Sequence, residues 1–261
     1  VAAAKLGAEV SMVGRVGEDD FGRALLANLE AVHVRHDFVQ RDPVSPTGIA
    51  LITVEDSGEN NIVLAPGSNM KLTVEDIEAA EQTIAESDSV LFQLESPLPV
   101  VEAALKLAKS HGVTTILNPA PAQPLSEALL ENVDILVPNE TETGLLTGLP
   151  VETDSQIERA AEHLRRIGVG TVILTLGERG AFLCSAAGNR RVPAYKIRPI
   201  DTTAAGDAFL GGFAVALGDG ASLEGAVSRG NAAGAFAATR FGAQPSLPTR
   251  EEWQRFISEN A

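Results

Sequence analysis

The segment Asp201-Thr202-Thr203-Ala204-Ala205-Gly206-Asp207-Ala208-Phe209-Leu210-Gly211-Gly212 concentrates residues suited to chemistry. Small side chains crowd a turn and then open a helix, and small side chains let backbone N–H groups approach a ligand closely. A helix start offers unpaired N–H groups and the positive end of the helix dipole, which suits an oxyanion or phosphoryl group. An acid in the same place, Asp207, is odd for a pure phosphate cradle, because like charges repel. It makes sense as a base that takes the proton of a hydroxyl attacking the phosphoryl group. The residues alone are equally compatible with a capping aspartate in an Ala/Gly-rich packed helix.

Other candidate residues fall at the ends of apolar runs. Pro138-Asn139-Glu140-Thr141-Glu142 follows Ile135–Val137 and begins a helix. That puts Asn139 and Glu142 at the carboxyl end of a strand, where ligands bind in open α/β sheets. The same residues read as an N-cap asparagine with a helix-start glutamate, and both readings can hold. Thr175-Leu176-Gly177-Glu178-Arg179-Gly180 follows another apolar run. Two glycines in a strand-end turn signal close backbone approach or positive φ. Gln93-Leu94-Glu95-Ser96-Pro97 and Asn118-Pro119-Ala120-Pro121 close two further strands, the second by proline-fixed geometry. His33, His36, His111 and His163 are scattered, with no metal-ligand spacing.

The elements that must position these residues alternate along the chain. Val10–Val13, Val90–Gln93, Thr114–Leu117, Ile135–Val137 and Val172–Leu176 read as short buried strands. Between them lie amphipathic helices at Phe21–Val32, Val74–Ala85, Pro97–His111 and Gln156–Ile167. The last carries a capping box of Ser155 and Glu158 and stops at Gly168. Strand–helix alternation predicts βαβ units, a mostly parallel sheet and helices on both faces. From His36 to Leu64 the pattern is strand-like without helices: Asp37–Gln40, Gly48–Val54 and Asn61–Leu64, with Asp56, Ser57 and Gly58 as turn residues. Such an insertion forms a lid, a contact surface or a plain surface hairpin. Ala181–Ser185 and Arg191–Val192 are further short strands, and Ala204–Leu217, Leu223–Thr239 and Glu251–Ser258 are helices. The last follows a capping box of Thr249 and Glu252 and packs through Trp253.

Composition narrows the functional classes. The 261 residues are 44% hydrophobic, enough for a sizeable core, and carry a formal net charge of −15. A nucleic-acid binder normally has a basic surface, so that class is disfavoured. The acidity also rules against long-range steering of an anionic substrate, so a phosphate site must be built locally from backbone N–H groups, a few cations and a metal. No apolar run approaches the ~20 residues that span a bilayer. The lone Cys184 and the lack of a signal segment favour a cytoplasmic setting.

The run DTTAAGDAFLGGF resembles the C-terminal signature of the ribokinase-like (PfkB) carbohydrate kinase family, and the resemblance extends along essentially the whole chain. It implies a three-layer α/β fold with a small β lid within residues 36–64. It implies that Ala204, Ala205 and Gly206 form an anion hole for the transferring phosphate and that Asp207 is the base for the sugar hydroxyl. Asn139 and Glu142 would organise Mg²⁺, its waters and the phosphates, with Glu142 reaching the metal through water. Thr175 to Gly180, including Leu176, Gly177, Glu178 and Arg179, would form the nucleotide turn, and Asn231 would line the adenine pocket. Glu95 would contact the sugar. Asp201, Thr203, Ala237, Arg240, Gly242 and Ser246 would surround K⁺, largely through backbone oxygens. Thr47-Gly48-Ile49-Ala50 is similar to the family's sugar-covering strands, which exclude water.

The resemblance further implies ATP and Mg²⁺ as co-substrate and cofactor, and phosphoryl transfer to a primary hydroxyl, D-ribose first. The alternatives are another sugar or nucleoside (deoxyribose, fructose, 2-keto-3-deoxygluconate), or a non-catalytic nucleotide- or sugar-binding paralogue. Exposed lid strands make a homodimer the expected assembly. Val1 to Gly7 reads as the end of a helix, and Gly7 and Gly17 fit the later part of the family's N-terminal signature. The earlier Gly-Gly element and a first strand with a sugar-gripping acid are expected upstream of Val1. The 261-residue kinase domain as written is therefore expected to turn over poorly.

Overall fold

The computed structural model describes residues 1–54 and 60–260. Asp56, Ser57 and Gly58 lie outside the described residues.

Strands β5 (Ser89–Phe92), β6 (Thr114–Leu117), β7 (Ile135–Leu136), β8 (Thr171–Thr175), β9 (Ala181–Ser185) and β10 (Gly188–Val192) form a six-stranded sheet in the order β10-β9-β8-β7-β6-β5. Strands β5 to β8 run parallel, and β9 and β10 return antiparallel. Alternate strand residues serve opposite faces. Ile116, Ile135, Val137 and Ile173 enter one core. Their neighbours Leu117, Leu136 and Val172 enter another on the opposite side. Burial on both faces explains why these strands read as unbroken apolar runs.

Helices cover both faces. On one lie α1 (Ala2–Lys5), α9 (Ala205–Gly218), α10 (Leu223–Ala238) and α11 (Arg250–Glu259). Trp253 of α11 is buried there and donates its indole N–H to the Arg229 carbonyl at 3.0 Å. On the other lie α3 (Val74–Ala79), α4 (Glu81–Ala85), α5 (Leu98–Ser110), α6 (Glu127–Leu130) and α8 (Asp154–Arg166). Helix α7 (Glu140–Thr147) follows β7. These layers are the three-layer architecture expected from the alternation of strands and helices.

Four local expectations change. The Val10 strand does not join the large sheet. It is β1 (Val10–Gly17), paired in parallel with β2 (Val34–Asp42) through α2 (Asp20–Ala31). Val13 and Phe38 of this pair share a hydrophobic cluster with Val90 and Phe92 of β5, so one helical layer serves both sheets. Asp37–Gln40 therefore belongs to a parallel βαβ unit, not to a lid; apolar alternation in so short a run cannot tell the two apart. The hairpin is narrower, β3 (Ile49–Val54) against β4 (Asn60–Ala65). Val74–Ala85 is broken in two at Ala80. Finally, α8 starts two residues early. Thr153 and Gln156 form its capping box, while Glu158 instead accepts a bond from Asn189 at 2.9 Å. Gly168, at φ +115, stops this helix as expected.

Candidate active site

Helix α9 begins abruptly. Its N-cap, Ala204, adopts the left-handed conformation at φ 59, one of two non-glycine residues to do so among those described. That conformation costs an L-residue about 1–2 kcal/mol, so the surrounding structure must hold it. Part of the hold is visible: Thr203 donates its N–H to Asp201 Oδ1 at 2.9 Å, and Ala205 donates its N–H to the Thr202 carbonyl at 3.1 Å. The Ala205 amide is thus engaged within the turn. The amides of Ala204, Gly206 and Asp207 have no acceptor among the described residues. A Cβ added at Gly206 would meet nothing within 4 Å. The helix start thus combines unbonded amide donors with open space beside Gly206, features suited to an anion.

Asp207 stands in the first turn of this helix. Solvent reaches its side chain, yet the protein packed around the helix start desolvates its carboxyl enough to raise it above the ordinary value. Glu95, just beyond β5, is raised first by burial and second by the negative charge of Asp207. Glu95 is held there because Leu94 donates its N–H to the Ala120 carbonyl at 2.8 Å, tying the end of β5 to the turn after β6.

The carboxyl ends of β6, β7 and β8 supply a second cluster. Asn139 and Glu142 form a capping box at the start of α7. Asn118 donates through Nδ2 to the Val137 carbonyl at 2.9 Å and approaches Glu142 Oε2 at 3.5 Å. Thr175 donates its N–H to the Pro138 carbonyl at 2.9 Å, setting it beside Asn139 in a parallel bridge. Glu142 is buried, which raises its carboxyl, while the Asn139 N–H lowers it. From the sequence, Asn118 belongs only to the proline-fixed turn that closes a strand. Its position one residue past a buried strand is the signal that could have placed it here.

The turn after β8 is tight. Leu176 donates its N–H to the Gly180 carbonyl at 2.8 Å, and Gly177 and Gly180 take φ of +55 and +83. The Leu176 side chain is buried with Ile157 and Leu174, so it offers a ligand only its backbone. Gly177 and Glu178 are exposed, and Arg179 pairs with Glu140. Asn231 on α10 donates to the Pro193 carbonyl at 3.0 Å. A Cβ on Gly180 would lie 2.2 Å from the Val192 carbonyl, so Asn231 and the turn meet along the same segment.

Asp201 accepts from Gly242 N–H at 2.9 Å through its second oxygen, and these hydrogen bonds lower its carboxyl. Ile200 donates its N–H to the Ala238 carbonyl at 2.8 Å, and Arg240 donates its N–H to the Ala237 carbonyl at 3.0 Å. Ser246 is fully buried. The Arg240 guanidinium turns to Glu252 at 3.0 Å and over the Phe236 ring, leaving only its backbone for a cation. Among the described residues no cluster of three His, Cys, Asp or Glu forms a ready-made metal cage. A divalent ion here would have to be carried on waters and phosphates, and the single buried carboxylate of Glu142 fits that donor set.

The site thus gathers an exposed acid beside unbonded helix-start amides and a buried carboxylate at neighbouring strand ends of an open α/β sheet. The chain belongs to the pfkB family of carbohydrate kinases, whose profile matches residues 1–250. Enzymes of this kind transfer a phosphoryl group to a sugar hydroxyl. The chain is 42% identical over 257 residues to a ribokinase of Haemophilus influenzae, covering 98% of this chain and 84% of that one. It superposes on the Arabidopsis thaliana ribokinase complexed with ribose and ATP at a TM-score of 0.90, with 32% identity, covering 98% and 84% of the two chains. A crystal structure from E. coli, assigned as a ribokinase II and holding ATP and Mg²⁺, matches at a TM-score of 0.84 and 26% identity, covering 99% and 86%.

Proposed function

We propose that this protein phosphorylates D-ribose at its primary hydroxyl, using the γ-phosphoryl group of Mg-ATP. The observation that carries the reading is Asp207 in the same helix turn as the free amides of Ala204, Gly206 and Asp207 itself, with open space in front of Gly206. Asp207 takes the proton of the attacking hydroxyl, and the amides stabilise charge on the phosphoryl oxygens. Its raised carboxyl makes it a better proton acceptor than an ordinary aspartate. Asn139, Thr175 to Gly180 and Asn231 hold the nucleotide, Glu142 binds Mg²⁺ through water, and Glu95 holds the sugar. The likeness to ribokinases supports ribose over deoxyribose, fructose or 2-keto-3-deoxygluconate. Phosphorus NMR of products from a panel of these sugars tests the reading, using the protein expressed from its complete reading frame. Phosphorylation of ribose with the highest kcat/KM supports it, and a clear preference for another sugar overturns it.

Three finer statements belong to the same proposal. K⁺ occupies the loop around Asp201 and Ser246, so activity is expected to fall when sodium replaces potassium. The protein works in the cytoplasm, in keeping with a single cysteine that is buried and unpaired. Among the described residues no helix is long and apolar enough to cross a membrane. Two copies pair through their hairpins, because Ile49, Leu51, Val63 and Leu64 are exposed there.

A further inference from the structure

The hairpin is fastened to β1 through both legs: after β4, Ser68 donates its hydroxyl to the Arg15 carbonyl at 3.2 Å, and before β3, Thr47 makes a denser set of bonds. Gly17, the last residue of β1, donates its N–H to Thr47 Oγ1 at 2.9 Å. The same hydroxyl donates to Asp19 Oδ1 at 2.6 Å, and the Thr47 N–H donates to Asp19 Oδ2 at 2.7 Å. Asp19 is also the N-cap of α2, accepting from Gly22 N–H at 2.8 Å. The Asp19 carboxylate thus joins the start of α2 to the foot of β3, and the Thr47 hydroxyl adds the end of β1. The three donors hold its pKa at about 2, so it stays charged throughout the working pH range.

The surrounding backbone leaves no slack. A Cβ on Gly17 would lie 2.5 Å from Thr47 N, and one on Gly22 would lie 2.2 Å from the Gly17 carbonyl. The two legs of the hairpin cross just beyond. A Cβ on Gly48 would lie 2.6 Å from the Pro66 carbonyl, and one on Gly67 would lie 2.3 Å from the Pro46 carbonyl. Ser68 donates its N–H to that Pro46 carbonyl at 2.8 Å. Past the crossing the side chains open to solvent: Leu51 is 64% exposed and its cross-strand partner Val63 is 62% exposed. A tightly bonded foot with solvent-exposed side chains at Leu51 and Val63 beyond it describes a pivot. The foot stands at the carboxyl ends of β1 and β2, the end at which open α/β sheets bind ligands.

We propose that Thr47 and Asp19 form the pivot of the β3–β4 hairpin, and that Thr47 is a positioning residue for the sugar step. Among the described residues its hydroxyl alone both accepts from β1 and donates to the α2 cap, so it fixes the angle at which the hairpin leaves the body. The inference rests on the sugar-kinase reading, because a hairpin at the wrong angle neither encloses sugar nor excludes water. Loss of the hydroxyl weakens sugar capture and lets ATP react with water, while the nucleotide turn, on other elements, keeps its grip.

The test compares Thr47→Val, Thr47→Ser and Asp19→Asn in the protein expressed from its complete reading frame. Ribose and ATP kinetics, ADP formed without sugar, melting temperature and amide exchange are measured. Thr47→Val is expected to raise the KM for ribose about tenfold, leave the KM for ATP within about twofold and raise sugar-independent ADP formation. Thr47→Ser, which keeps the hydroxyl, is expected to behave as the parent. Thr47→Val with a lowered melting temperature but unchanged ribose KM and ADP leak would overturn the proposal, as would Thr47→Ser failing like the valine. If the valine variant does not fold, Asp19→Asn decides: a raised ribose KM supports the pivot and an unchanged one refutes it. If the parent phosphorylates none of the sugars, the kinase reading fails. Amide exchange then judges the pivot alone, by faster exchange over residues 46–51 in Thr47→Val or none.

Discussion

Asn139 and Glu142 hold each other through reciprocal bonds: the Glu142 N–H donates to Asn139 Oδ1 at 2.8 Å, the Asn139 N–H donates to Glu142 Oε2 at 2.8 Å, and Asn139 Nδ2 donates to Glu142 Oε1 at 2.9 Å. Both carboxylate oxygens are therefore engaged, and the charge is fixed in place at the start of α7. A carboxylate so committed reaches a metal more readily through water than directly. Glu142→Gln removes the charge and sets an amide against a donor. It is expected to raise the Mg²⁺ concentration needed for half-maximal rate about tenfold, with the ribose KM little changed. An unaltered Mg²⁺ titration would remove Glu142 from the metal's surroundings. Asn139→Ala should in addition cost about 1 kcal/mol of stability, because it deletes the cap.

Asp207 links activity and stability with opposite signs. As a base it must be ionised, and burial raises its carboxyl. The acid limb of kcat/KM is therefore expected above the pH at which an ordinary aspartate titrates. For stability, a carboxyl raised on folding favours the protonated form. Its contribution is greatest below the unfolded value and is lost as pH rises through the folded one. Asp207→Asn should accordingly melt higher than the parent near pH 7, and the difference should close at acid pH. Equal melting temperatures at both ends would show that the surrounding protein exerts no desolvation on this group.

Two glycines predict opposite outcomes from the same substitution. A methyl at Gly206 meets nothing in the protein. Gly206→Ala is expected to keep or raise the melting temperature, since alanine is the better helix former by about 0.5–1 kcal/mol. It should nonetheless depress kcat, because the methyl fills the space before the free amides. Gly180→Ala meets the Val192 carbonyl at a positive φ and is expected to destabilise the whole protein. Thermal melts and initial rates of the two variants decide the matter, and a fully active Gly206→Ala would displace the anion from this helix start.

The helical layers were legible because periodicity and caps agree: Thr249 and Glu252 cap α11, and Asn139 and Glu142 cap α7, as the residues predict. The buried strands β6 to β8 were legible for a related reason, since both faces demand apolar residues. The β1–β2 pair was not, because short apolar runs carry no sign of the sheet they join. For that reason the sequence groups Asp37–Gln40 with the lid strands of residues 36–64, whereas it pairs with β1. In the site, Asp207 and Glu142 stood out as acids in unexpected places. The Ala205 amide and the Leu176 side chain did not, since only the folded turn shows that one is already bonded and the other turned inward. Thr47 and Asp19 are common turn residues whose meeting depends on a contact across 28 positions.

The central claim is that Asp207 is the base for phosphoryl transfer to ribose. The direct measurement pairs turnover with ATP affinity for Asp207→Asn and the parent, both expressed from the complete reading frame. The account predicts a fall in kcat of about 10²–10⁴, with ATP affinity unchanged or slightly stronger, because a negative charge beside the phosphates is gone. An Asp207→Asn protein that phosphorylates ribose at close to the parental rate would contradict it.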